Sequence, residues 1–172
     1  DADAMRRNVF TSSSCGICGK ASIDAVQATG CSVLLPGFQV SSTLVPELPD
    51  RLLAAQSVFA RTGGIHAAGL FEADGSSTVL REDVGRHNAV DKVLGHSLLH
   101  RALPARDRVL VVSGRASFEI VQKALMAQVP VLVAVGAPSS LAIDLASQFD
   151  QTLVGFARDG GFNVYCGAER VR

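Results

Sequence analysis

The sequence predicts an α/β sandwich of three layers, with helices on both faces of a mixed, mostly parallel sheet, and three observations carry that reading. From Arg86 onward, segments of helical periodicity alternate with short apolar runs, as in successive βα units. Two of those runs, Val109-Leu110-Val111-Val112 and Val131-Leu132-Val133-Ala134-Val135, are apolar without interruption, as parallel strands covered on both faces require. Apolar residues form 48% and charged residues 19% of the 172, with mean hydropathy +0.28. That is too apolar for a disordered chain and long enough to bury one core.

Taken in order, residues 1–49 are rich in Ser, Thr, Gly and Pro without a sustained period, and read as an irregular, mobile arm. Leu48, Leu52, Ala55 and Phe59 share a helical face that Gly63-Gly64 terminates, so a helix is expected over Leu48–Arg61. Ile65–Glu72 and Thr78–Asp83 flank Asp74-Gly75, a type I′ turn signal, and predict an antiparallel hairpin. Helices over Arg86–His100, Ser117–Gln128 and Pro138–Phe149 then alternate with strands over Arg108–Val112, Val131–Val135 and Thr152–Phe156. A last hairpin through Asp159-Gly160-Gly161 returns Asn163–Cys166 along the sheet edge. The expected division is 1–46 for the arm and 47–172 for the sandwich.

Sixteen basic and sixteen acidic residues leave no formal net charge, which argues against a nucleic-acid coat or a polybasic membrane binder. No apolar stretch approaches the length of a membrane span, and the opening Asp1–Asn8 lacks the apolar core of a signal peptide, so the expected compartment is the cytoplasm. Four cysteines, Cys15, Cys18, Cys31 and Cys166, are too few and too irregular for a disulfide framework.

In an open α/β sheet, ligands gather beyond the carboxyl ends of parallel strands, where helix N-termini offer unpaired N–H groups. Three loops hold that position: Arg81-Glu82-Asp83-Val84-Gly85-Arg86-His87-Asn88, Ser113-Gly114-Arg115-Ala116-Ser117 and Gly136-Ala137-Pro138-Ser139-Ser140. Each combines Gly with a hydroxyl, amide or guanidinium, the parts that cradle phosphate. None matches G-x-x-x-x-G-K-[ST], so binding is expected over nucleotide hydrolysis. The plainer reading makes Asp83, Ser117 and Ser139 helix caps worth about 1 kcal/mol each. His66 alone reads as a hydrogen-bonded core residue, His87 as a residue of the first ligand-facing loop, and His96 and His100 as partners of a helix dipole.

Cys15-Gly16-Ile17-Cys18 is the sharper motif. Paired thiols at this spacing share a metal, form a disulfide, or let one thiolate carry sulfur while its neighbour resolves the product. Spacing alone does not choose among them. A structural zinc wants four ligands, and only Cys31 and Cys166 stand elsewhere, singly.

Together with Thr62-Gly63-Gly64-Ile65-His66-Ala67-Ala68, Arg81 to Lys92 and Ser113 to Ser117, the Cys15-to-Gly19 block resembles the formate dehydrogenase accessory sulfurtransferases, the FdhD family. The resemblance covers the chain, while family members carry a further N-terminal segment, so a C-terminal portion of a longer protein is expected. It implies the fold of the cytidine deaminases. Deaminase chemistry is not implied, because Ala68 stands where a Glu would follow His66 and no P-C-x-x-C follows. It further implies a sulfur carrier that takes sulfur from a cysteine desulfurase as a Cys15 persulfide, with Cys18 beside it. The recipient would be the molybdenum or tungsten bis(molybdopterin guanine dinucleotide) cofactor of formate dehydrogenase. The family's guanine dinucleotide segment matches Phe156-Ala157-Arg158-Asp159-Gly160-Gly161. The pyrophosphates would rest on the three loops with Arg81, Arg86, His87, Ser113, Arg115 and Ser139. A homodimer without a metal of its own is the expected assembly.

Overall fold

A computed structural model describes residues 31–172. Cys15, Cys18 and the first thirty residues of the expected arm lie outside the described residues. The elements are a 3-10 turn Val45–Glu47, α1 Leu48–Ala54, α2 Phe59–Thr62, β1 His66–Phe71, β2 Ser77–Asp83, α3 Arg86–Leu99, β3 Val109–Val112, α4 Phe118–Met126, β4 Val131–Ala134, α5 Ser140–Gln148, β5 Thr152–Arg158, β6 Gly161–Cys166 and a 3-10 turn Ala168–Arg170.

One six-stranded sheet runs β2-β1-β3-β4-β5-β6. It is parallel at its centre, across β3-β4 and β4-β5, and antiparallel on both sides, across β2-β1, β1-β3 and β5-β6. The expected parallel character is thus confined to the continuously apolar runs. Pleating sends alternate residues to opposite cores. Leu110 and Val112, Leu132 and Ala134, and Leu153 meet α3, α4 and α5. Val109 and Val111, Val131 and Val133, and Val154 meet Leu44, Val45, Leu48 and Leu52. Three layers follow, as the sequence predicts.

Residues 34–46, expected as part of the arm, pack on the domain. Leu34 is buried in the first core and Val40, Leu44 and Val45 in the second. The segment is held at both ends: Leu34 N–H donates to Phe149 O at 3.0 Å, and Val40 pairs in parallel with Val171. Buried Arg170 donates to Leu35 O at 3.3 Å. This strap passes from one layer to the other.

The expected helix over Leu48–Arg61 is two helices instead. Its break is set from β2: the Glu82 carboxylate accepts the N–H of Val58 at 2.9 Å and of Phe59 at 2.8 Å, capping α2. Such a long-range cap leaves no trace in local periodicity. Charge-assisted hydrogen bonds of this kind contribute roughly 1.5–3 kcal/mol. Glu82→Ala should therefore lower the unfolding free energy by about 2 kcal/mol in a denaturant titration, and an unchanged midpoint would refute the assignment.

The first hairpin is also built differently. A type I′ turn needs positive φ at both central residues, and of Asp74 and Gly75 only Gly75 has it, at 82°. Gly75 N–H donates to Glu72 O at 3.0 Å and Glu72 N–H to Ser76 O at 2.9 Å. A four-residue turn, Glu72 to Gly75, that ends on the left-handed Gly closes the hairpin. The type I′ geometry appears at Asp159 (φ 53°) and Gly160 (φ 76°), closed by the Arg158–Gly161 pair.

Candidate functional site

β1 runs antiparallel to β3, so its first residue, His66, stands at the carboxyl end of β3, beside the end of β2. The loops after β3 and β4 and the end of β5 meet there. Gly136 N–H donates to Gly114 O at 3.0 Å, Phe156 N–H to Gly136 O at 3.2 Å and Ser139 N–H to Ala116 O at 3.0 Å. The Ser113 hydroxyl accepts the Ala67 N–H at 2.9 Å, extending the β1–β3 ladder into the loop. The three strand ends are thereby stitched into one surface.

The first loop is shaped by Asp83, which does not cap α3. Its carboxylate accepts from Gly85 N–H at 2.9 Å and Asn88 Nδ2 at 3.1 Å and pairs with Lys92. The Lys92 hydrogen bond, then those of Gly85 and Asn88, hold its pKa at about 2. Arg86 opens α3 and runs past Gly114, whose Cβ position lies 3.5 Å from both Arg86 Cδ and His66 Nδ1. Arg86 Nε is buried without a hydrogen-bond partner. Among the described residues, no ion pair engages Arg86 or Arg115.

His87 faces α4. Its Nε2 lies 2.8 Å from Ser117 Oγ and 3.6 Å from Glu119 Oε2. Ser117 occupies the N-cap position of α4, but its hydroxyl makes no cap bond and serves His87. Burial, then the Arg86 charge, pulls the His87 pKa below its ordinary value, and Glu119 opposes without prevailing. Both Glu119 carboxylate oxygens are buried without hydrogen bonds. Ser139 does act as a cap, accepting the Ala142 N–H at 3.2 Å, and stays exposed at the rim.

The other expected site residues divide. Arg81 does not reach the site: it donates to Leu80 O at 2.7 Å and its Nη2 lies 3.0 Å from His96 Nδ1, on the helix side of β2. His96 answers to Arg81 and to the His100 ring, centred 4.0 Å away, rather than to the dipole alone. Phe156, Ala157 and Arg158 belong to the end of β5 and do not follow it. The Ala157 side chain is buried in the second core and presents nothing to a ligand. Phe156 is part-exposed at φ 52°, with the Arg158 guanidinium carbon 5.9 Å from its ring centroid. Asp159, Gly160 and Gly161 form the exposed hairpin end at the same pole of the sheet.

Beside these loops a cleft of about 540 Å³ separates α1 and α2 from the strand ends. His66, Ser113, Val135 and Arg158 line its sheet side, and Leu53, Gln56 and Phe59 its helical side. His66, read from sequence as a core residue, therefore belongs to the site. The signal was available: a strand antiparallel to β3 must begin where β3 ends. Gln56 and Glu119 carried no comparable signal.

The model of the FdhD/NarQ family matches residues 1–172. The chain is 58% identical over 169 residues to the sulfur carrier protein FdhD of Streptomyces coelicolor, covering 97% of this chain and 60% of that protein. It is 53% identical over 170 residues to the sulfur carrier protein FdhD of Mycobacterium tuberculosis, covering 97% and 61%. It thus spans about 60% of the length of the curated relatives it matches. Among solved structures it is similar to a Desulfotalea psychrophila protein provisionally assigned as a formate dehydrogenase accessory protein. That similarity has a TM-score of 0.75 at 30% identity, covering 90% of this chain and 63% of that one. Among the described residues, no helix is long and apolar enough to cross a membrane.

Proposed function

Because the chain belongs to the FdhD/NarQ family, we propose that it carries sulfur as a Cys15 persulfide and delivers it to a bis(molybdopterin guanine dinucleotide) cofactor of molybdenum or tungsten. The donor is a cytoplasmic cysteine desulfurase, and the recipient enzyme is formate dehydrogenase. The observation that carries the cofactor half of this reading is the pole of the sheet where Arg86 and Arg115, free of ion pairs among the described residues, stand at the entry to α3 and before α4. Uncompensated guanidinium groups beside helix N-termini favour phosphate.

The sulfur steps balance with the thiols of the motif. The Cys15 thiolate attacks the outer sulfur of the donor persulfide, forming Cys15–S–SH and expelling the donor thiolate. Attack of Cys18 on the inner sulfur then forms the Cys15–Cys18 disulfide and releases hydrosulfide to the client metal, the two thiols supplying both electrons. External thiol resets the pair. The described chain starts with Cys31, whose Sγ lies 3.1 Å from Met126 Sδ at the end of α4, the pole away from the loops. Fifteen residues lie between Cys15 and Cys31, a reach of about 50 Å for extended chain.

Guanosine diphosphate should bind the wild-type chain with an affinity that falls as salt rises. Arg86→Ala and Arg115→Ala should each weaken it about 10- to 100-fold, the worth of one charge-assisted phosphate contact. Calorimetry showing no heat with wild type, or equal affinity in both variants, would refute the phosphate site.

A further inference from the structure

We infer that the cleft between α1–α2 and the strand ends takes the flat base of the nucleotide, and that Gln56 reads its edge. The inference rests on the nucleotide-cofactor reading above and adds a residue and a location to it. Gln56 occupies the break between the helices, its N–H donating to Leu53 O at 3.0 Å and its carbonyl accepting from Ala60 N–H at 3.1 Å. The side chain is 3% exposed, and its amide nitrogen is buried without a hydrogen-bond partner. Burying an amide donor unpaired costs free energy in the unliganded protein. A ligand that accepts from it recovers that cost.

The surroundings specify the ligand's chemistry. Leu53, Phe59 and Ile65 make the cleft walls mostly apolar, suited to a ring face, while the amide offers a donor and an acceptor in one plane, suited to a ring edge. The volume of about 540 Å³ admits a nucleoside. The charged residues of the lining are Asp50, from α1, and Arg158, from the end of β5. His66 lines the cleft and also lies against the Gly114 position that Arg86 passes, so the cleft opens directly toward the proposed phosphate site. A base in the cleft and phosphates at Arg86 form one continuous path across His66. The break that places Gln56 is the one Glu82 fixes, so the base reader is held by a strand and not by a loose loop.

The test compares guanosine diphosphate, adenosine diphosphate and free guanosine on the full chain and on Gln56→Leu. Wild type should prefer the guanine nucleotide, and guanosine should compete with it in a salt-independent way. Gln56→Leu should bind guanosine diphosphate at least tenfold more weakly, bind both nucleotides alike, and lose competition by guanosine. Its melting temperature should hold or rise, because an unpaired buried amide is replaced by an apolar group. Gln56→Glu, which removes the donor at constant size, should erase the preference in the same way. If wild type binds neither nucleotide, the cofactor reading itself fails. If it binds guanosine diphosphate but both variants keep its affinity and preference, the phosphate reading stands and the role of Gln56 is overturned.

Discussion

Cys15→Ala should abolish sulfur loading. After incubation with a cysteine desulfurase and cysteine, the wild-type chain should gain about the mass of one sulfur on the peptide that holds Cys15, removable by reductant. The variant should gain none. The competing thiols are poor acceptors. Cys166 is part-buried, its thiol donates to Gln151 O at 3.3 Å, and burial raises its pKa, so little thiolate is available at neutral pH. Cys31 is part-buried and held against Met126. Cys18→Ala separates carrying from release: it should load like wild type and yet fail to form the internal disulfide that expels hydrosulfide. Equal loading of the Cys15→Ala chain would move the persulfide elsewhere.

The second large effect is expected at Gly136. A Cβ there would lie 2.9 Å from Arg115 Cγ and 3.1 Å from both Arg115 Cα and N. Side-chain atoms can swing aside, but backbone atoms move only with their loop. The same residue joins the three strand ends, donating to Gly114 O and accepting from Phe156 N–H. Gly136→Ala should therefore lower stability by roughly 1–3 kcal/mol and, by shifting Arg115 with its loop, weaken guanosine diphosphate more than Arg115→Ala does. Gly95→Ala is the control. Gly95 lies in the interior of α3 with nothing within 4 Å of its Cβ position, so Ala should stabilise the chain by about 0.5–1 kcal/mol and leave binding alone. Urea titration and calorimetry on the two variants measure both effects, and a Gly136→Ala chain that binds like wild type would show that the strand-end register does not matter.

What the sequence revealed and what it hid divide by range. The βα order from Arg86 onward, and most element bounds to within a few residues, follow from local periodicity, because β3, β4 and the first half of β5 are buried on both faces and each helix on one. The features it hid are decided by partners distant in the chain. The Leu48–Arg61 periodicity is real, yet Glu82 breaks the helix from across the sheet. Arg81 lies within a motif that also holds Arg86, but the pleat of β2 sends it toward His96. Asp-Gly occurs at 74–75 and at 159–160 with different turns. The register shifts beside both, between Leu70 and Phe71 and between Gly155 and Arg158, but the second turn is closed directly by the Arg158–Gly161 pair. The dipeptide sets what is possible, and the closing pair selects. At the strand ends, residue type singled out the loops after β3 and β4 that backbone bonds bring together, whereas the burial of Gln56 and Glu119 is not encoded in composition.

The strap that carries the chain from one layer to the other also orders events during synthesis. Its anchors are late: Arg170 grips Leu35 across 135 positions of sequence, and Val40 pairs with Val171. A ribosome delivers residues 34–45 well before these partners, so the strap lacks them until Arg170 and Val171 emerge. Closing so long a loop is slow relative to forming the βα units between. The central sheet is thus expected to assemble on the nascent chain before Val40, Leu44 and Val45 complete the cover of Val109, Val111, Val131 and Val133 on that side. Docking of the strap therefore reports that Arg170 and Val171 are in place, and makes the covering of the second core a late step of assembly.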